Sequence, residues 1–173
     1  YVLYTNHIWE DFFITFKFSK NLAEGKGLVY EDGERVHGFT SPLGTLLPAL
    51  CHFASGNKSY MIALWLYLIF FCIPAFVIAG LFFLKIFLDS DGYEKSHAIF
   101  ASLFFLFETK SVVYSMNGME TAMMLLFTAM SFYFTIISKK KNEILEGISW
   151  AGLMWTRPDG FIFIGSFVVV SLI

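Results

Sequence analysis

Charge, cysteine and repeated patterns are all scarce in this chain, and each scarcity narrows what it does. Charged residues make up 15% of the 173 positions, against about 25% in an average soluble domain. The deficit argues against an ordinary soluble fold. Only two cysteines occur, Cys51 and Cys72, each in apolar surroundings and without metal or redox spacing, so they read as small buried hydrophobes. His7, His37, His52 and His97 are scattered with no pair at ligand spacing, and no zinc site is assigned. No basic segment with a cleavage site precedes the apolar residues, so no signal peptide is visible. No internal repeat is apparent either.

What is present is apolar and aromatic, 57% and 20% of residues respectively. The fold class this implies is an all-α polytopic membrane protein, with several transmembrane helices and a long external first loop carrying interfacial helices. The chain opens at Tyr1 inside one apolar-aromatic run and stops at Ile173 inside another. The expectation is the N-terminal part of a larger protein that has lost most of its first membrane helix, although processing would also remove a Met.

Three regions follow: residues 1–8 as the end of that first helix, 9–59 as the external loop, and 60–173 as membrane helices. From Asp11 to Glu24, Phe12, Phe13, Phe16, Leu22 and Ala23 share one side of a helix while Lys17, Lys20, Asn21 and Glu24 supply the other. That is the pattern of a helix lying in the membrane interface, ended by Gly25 and Gly27. Leu28 to Val36 has the shape of a short hairpin turning at Asp32-Gly33. Ser41 and Pro42 form a helix start, and the helix from Leu43 to Ala54 is too short to span comfortably.

Met61 to Leu88 is the clearest span, with Pro74 as a kink and Lys85 placed to snorkel. His97 to Tyr114 is a second span, less pure because of Glu108 and Lys110, and Met119 to Ser138 return across the bilayer. Lys139-Lys140-Lys141 is the strongest orientation signal, because short basic loops stay in the cytoplasm. Counting crossings from it puts Glu10-Asp11, Asn117 to Glu120, and Arg157 to Asp159 on the same, outer side. The expectation is an outward-facing site.

Each motif has a plainer reading. Glu10 and Asp11 are also explained as solvated helix-terminal charges, Glu120 as a helix N-terminal acid, and Arg157 and Asp159 as a pair beside a Pro-Gly break. Lys17 and Lys20 suit snorkelling and Arg35 a solvated hairpin charge. The functional reading is that one member of the Glu10-Asp11 pair accepts a proton while the other binds a metal or holds its partner. Arg157 is the first choice of cation for a lipid phosphate, ahead of Lys17, Lys20 and Arg35, because an arginine beside a bilayer needs a partner.

Five motifs in order, Glu10-Asp11-Phe12-Phe13-Ile14-Thr15, Asn21 to Val29, Gly33 to Leu43, Asn117-Gly118-Met119-Glu120-Thr121-Ala122 and Thr156-Arg157-Pro158-Asp159-Gly160, resemble the polytopic type C glycosyltransferases. The closest resemblance is to the bacterial branch similar to mycobacterial cell-wall arabinofuranosyltransferases. The resemblance implies transfer of a sugar from a polyprenyl-phosphate donor to a glycan, lipid or protein hydroxyl at the outer face of the cytoplasmic membrane. It makes Glu10 and Asp11 the catalytic pair, and Glu120, Arg157, Asp159, Lys17 and Arg35 candidates for binding substrate. Cationic groups or a divalent metal ion would stabilise the departing phosphate. The branch usually carries two aspartates at the pair, so Glu10 is a departure and leaves open which carboxylate is the base. The alternative is a membrane transporter or flippase for a lipid-linked or small polar solute, which broken helices at Pro42 and Pro158 would suit.

Overall fold

Long apolar stretches interrupted by single Gly, Pro or Asn positions favour helices that end at the interruptions. A computed structural model describes residues 10–31, 38–57, 59–90 and 92–172, the side chains of Glu10 and Ser171 excepted, and every regular element among them is helical. The helices are α1 (Glu10–Ala23), α2 (Pro42–Ala54), α3 (Tyr60–Asp89), α4 (Lys95–Phe107), α5 (Thr109–Ser115), α6 (Thr121–Ile137), α7 (Glu143–Thr156) and α8 (Gly160–Ser171).

Helix α1 follows the expected boundaries, and the chain leaves it through Gly25 at φ +80°. Its partners differ from those expected of an interfacial helix. Phe12, Phe16 and Ser19 are buried along one stripe, the two rings in a core with Leu64 and Tyr67 of α3 and Ala122 and Met123 of α6. Protein therefore covers the apolar face of α1, while Phe13 stays exposed. Asn21, assigned to the polar side, turns inward. Its Nδ2 donates to the carbonyl oxygens of Val29 at 2.8 Å and Tyr30 at 3.0 Å, because carbonyls on a buried loop need donors. Leu28 to Glu31 are bends rather than strand, so the described half of the hairpin is not formed, and its Asp32-Gly33 turn lies outside the described residues.

Helix α2 starts as expected, with Ser41 Oγ accepting from the Gly44 N–H at 2.9 Å and Pro42 in the first turn. Ser19 Oγ donates to the Thr45 carbonyl at 2.8 Å, fastening α1 to α2. Helix α3, of 30 residues, is among the described residues the one helix long and apolar enough to cross a membrane. Its π-helical turn Leu68–Cys72 comes just before Pro74, whose missing N–H cannot reach back to the Phe70 carbonyl.

The expected second span is two helices instead. Glu108 breaks it with a 52° bend, because its carboxylate accepts the N–H groups of Lys110 at 3.0 Å and Ser111 at 2.6 Å and so starts α5 afresh. Taken as one bent span, α4 and α5 would make a second membrane-crossing unit. Helix α6 is apolar but shorter, about 25 Å long. Close approach between helices is set by glycine. A Cβ on Gly80 would meet Leu106 of α4 at 2.6 Å, and one on Gly152 would meet Phe127 of α6.

The helix ends sort to opposite poles of the bundle. At one pole Tyr133 Oη of α6 donates to Asp89 Oδ2 of α3 at 2.6 Å, near Lys139 to Lys141. At the other, the start of α6 meets the end of α7 through Glu120 and Arg157. Large aromatics on the flanks, including Phe53, Phe70, Phe100, Phe104 and Phe107, are exposed.

Candidate functional site

Two chain reversals build the pole that carries Glu120 and Arg157. Between α5 and α6, Asn117 Oδ1 accepts from the Met119 N–H at 3.0 Å and Gly118 takes φ +88°. A side chain at Gly118 would strike Phe12 at 2.7 Å and Leu64 at 2.9 Å, so the reversal presses directly on α1 and α3. It delivers Glu120, 6% exposed, to the start of α6. Between α7 and α8, Arg157 is extended at φ −152°, and the Gly160 N–H donates to its carbonyl at 2.9 Å. A Cβ on Gly160 would lie 2.8 Å from the Leu153 carbonyl. The tight turn holds the guanidinium over the bundle end.

A cavity of about 310 Å³ opens between these reversals and α1. Asp11, Glu120 and Arg157 all line it. They come from three of the motifs singled out in the sequence. Arg157 Nη1 lies 3.7 Å from Glu120 Oε1, and its Nε donates to Asp159 Oδ1 at 3.0 Å. Asp159 thus holds the arginine from outside the lining. Burial pushes the Glu120 carboxyl above its ordinary range and the nearby Asp11 carboxylate adds to the rise, while Arg157 pulls the other way.

The remaining candidates separate. Lys17 does not line the cavity; its ammonium sits 5.6 Å from the centre of the Tyr30 ring. Lys20 pairs with Glu24 at 3.7 Å and lies over Tyr60. Arg35 falls outside the described residues, as does the side chain of Glu10, although its backbone starts α1.

Sequence reasoning missed Thr15 and Thr40 and gave Ser41 only a capping role, yet all three line the cavity. Thr15 was within reach of spacing, since it lies one turn after Asp11 and its Oγ1 donates to the Asp11 carbonyl at 3.1 Å. Among the described residues no three His, Cys, Asp or Glu side chains gather as metal ligands. The described lining offers two carboxylates beside a guanidinium. It can hold an anion against Arg157 and take a proton on a carboxylate a few ångströms away. No protein-family model matches this chain, and no curated protein or solved structure matches it either.

Proposed function

We propose that the chain is part of a polytopic membrane glycosyltransferase that moves a sugar from a polyprenyl-phosphate donor to an acceptor hydroxyl at the outer face of the cytoplasmic membrane. The observation that supports it is the meeting of Asp11, Glu120 and Arg157 at one polar cavity, at the pole opposite Lys139 to Lys141. The exposed aromatic flanks suit lipid, and α3 together with the bent α4–α5 unit suits crossings.

In this reading the donor phosphate lies against Arg157, whose planar fork matches phosphate oxygens. Asp11 takes the proton of the acceptor hydroxyl as its oxygen attacks the anomeric carbon, and the bond from that carbon to the phosphate oxygen breaks. The electron pair leaves with the lipid phosphate, whose charge the guanidinium offsets. Glu120 holds Arg157 in place and Asp159 sets its tilt. A cavity at the end of the bundle, rather than half-way along it, favours surface chemistry over passage of a solute.

The test is transfer from radiolabelled polyprenyl-phosphate sugars by the full-length protein in membranes, for wild type, Glu10→Gln and Asp11→Asn. Asp11→Asn is expected to lose transfer by about two orders of magnitude or more at unchanged expression. Unchanged transfer in both variants would remove the acidic pair from the chemistry, and no transfer by wild type from any donor would bring the transporter reading forward.

A further inference from the structure

The opposite pole holds two further cavities, which the transfer reaction does not use. One, of about 600 Å³, is an apolar groove walled by Phe83 and Phe87 of α3, Phe132 of α6, and Phe163 and Phe167 of α8. The other, of about 390 Å³, is polar and is lined by Asp89, Ser138, Lys139 and Lys140. Ile137 lines both, so the groove and the polar recess border one another where α6 ends. A site that is apolar along a helix bundle and cationic at its mouth has the amphipathic form of a lipid with a charged head.

The charges decide which lipid. Lys139 and Lys140 are exposed and form no ion pair among the described residues. Asp89, the acid in the recess, is already engaged by the Tyr133 hydroxyl at 2.6 Å. Lys85 is held 4.5 Å from the centre of the same tyrosine ring, adding positive charge behind the recess. Ser138 leaves its own N–H bonded to the Tyr133 carbonyl at 2.8 Å and its hydroxyl donating to the Lys140 carbonyl at 2.8 Å, which fixes the turn carrying the lysines. A choline headgroup would set a cation against these ammonium groups. A headgroup with net negative charge meets them favourably.

We propose that this groove binds an anionic glycerophospholipid of the phosphatidylglycerol type, with the phosphate between Lys139 and Lys140 and an acyl chain laid along Phe87, Phe132 and Phe167. The inference rests on the membrane reading above but not on sugar transfer. The bound lipid would tie the ends of α3 and α6 to α8 and so brace the pole opposite the cavity of Asp11.

The test uses the full-length protein purified in mild detergent and melted with added dioleoyl-phosphatidylglycerol, dioleoyl-phosphatidylcholine or soluble glycerol phosphate. Phosphatidylglycerol is expected to raise Tm by about 5–10 °C at saturation, and the other two to leave it near its starting value. The Lys139→Gln/Lys140→Gln double variant alters exposed positions only and should lose the rise, and Thr128→Phe, which puts a ring at a residue of α6 that also lines the groove, should lose it with both lysines intact. An equal rise with phosphatidylcholine, a rise with glycerol phosphate alone, or a rise kept in the double lysine variant overturns the proposal. Alkaline carbonate extraction separates it from its premise. A chain that stays with the membrane but shows no lipid preference defeats this inference alone, whereas a chain released to the supernatant defeats the membrane reading as well.

Discussion

Arg157 sits between two carboxylates, and the two contacts differ in kind. The bond to Asp159 is a local hydrogen bond of 3.0 Å, while the contact with buried Glu120 is a looser 3.7 Å across two helices. If Arg157 only balances Glu120, then Arg157→Ala should cost about 1 kcal/mol, since the arginine is 45% exposed and its pairing is partly screened, and Glu120→Gln should restore it. If it also holds a donor phosphate, the Arg157→Ala/Glu120→Gln double variant should melt like wild type and still lose transfer by about two orders of magnitude. Thermal melting and transfer assays on the same preparation distinguish the two outcomes. His52 makes a separate prediction. It is 1% exposed between the rings of Phe16 and Tyr60, neither ring nitrogen has a partner, and burial, aided by Lys20, pushes its pKa down to about 4 from 6.5. A lowered histidine pKa means the unfolded chain binds the proton more tightly, so His52 contributes stability that is present above pH 6.5 and is lost as pH falls towards 4. His52→Phe keeps the ring contacts and removes the titration, so its melting temperature should fall less than that of wild type between pH 7 and pH 4. Arg157 and Glu120 are legible in the sequence because a charge flanked by apolar runs demands an explanation. His52, Ser19 and Asn21 are not, because their burial depends on rings and carbonyls brought from other segments.

At the scale of elements, the helix starts and stops that rest on local chemistry are readable, and those that rest on competition are not. Ser41-Pro42 and Gly25 act as their residue types dictate. Glu108 reads as a blemish in a span, whereas it caps a new helix, because its carboxylate accepts hydrogen bonds from two backbone N–H groups and so starts a fresh first turn. Length alone also overstates α6, which Ser138 ends in an extended conformation at ψ 116°. The glycines allow a test of opposite signs. Gly118 needs φ +88° and leaves no room beside Phe12 and Leu64, so Gly118→Ala should destabilise by about 1–3 kcal/mol and loosen α1 from α3 and α6. Gly147 lies inside α7 with nothing within 4 Å of a Cβ, so Gly147→Ala should stabilise by about 0.5–1 kcal/mol. Denaturant melts of the two variants check both signs, and a neutral Gly118→Ala would mean that the reversal before Glu120 can be rebuilt without cost.

For the whole molecule, the membrane reading makes a prediction from the separation of two poles. Asp11, Glu120 and Arg157 lie where α6 starts, Lys139 to Lys141 lie where it ends, and α6 puts about 25 Å between them, close to the roughly 30 Å of a hydrocarbon core. Basic loops are retained in the cytoplasm, so the cavity pole should face outward, and the prediction can be made with single cysteines. Both native cysteines are buried, which keeps background labelling low. A cysteine at Thr40, which is exposed, or at Asp159, whose side chain is about half accessible, should react with an impermeant maleimide in intact cells. One at Lys141, exposed at the other pole, should react only after permeabilisation. The reverse pattern would turn the cavity to the cytoplasm and require a donor presented on the inner leaflet. Labelling of all three positions in intact cells would mean that the two poles are not divided by a bilayer, and the exposed rings of Phe100, Phe104 and Phe107 would then need protein rather than lipid to cover them.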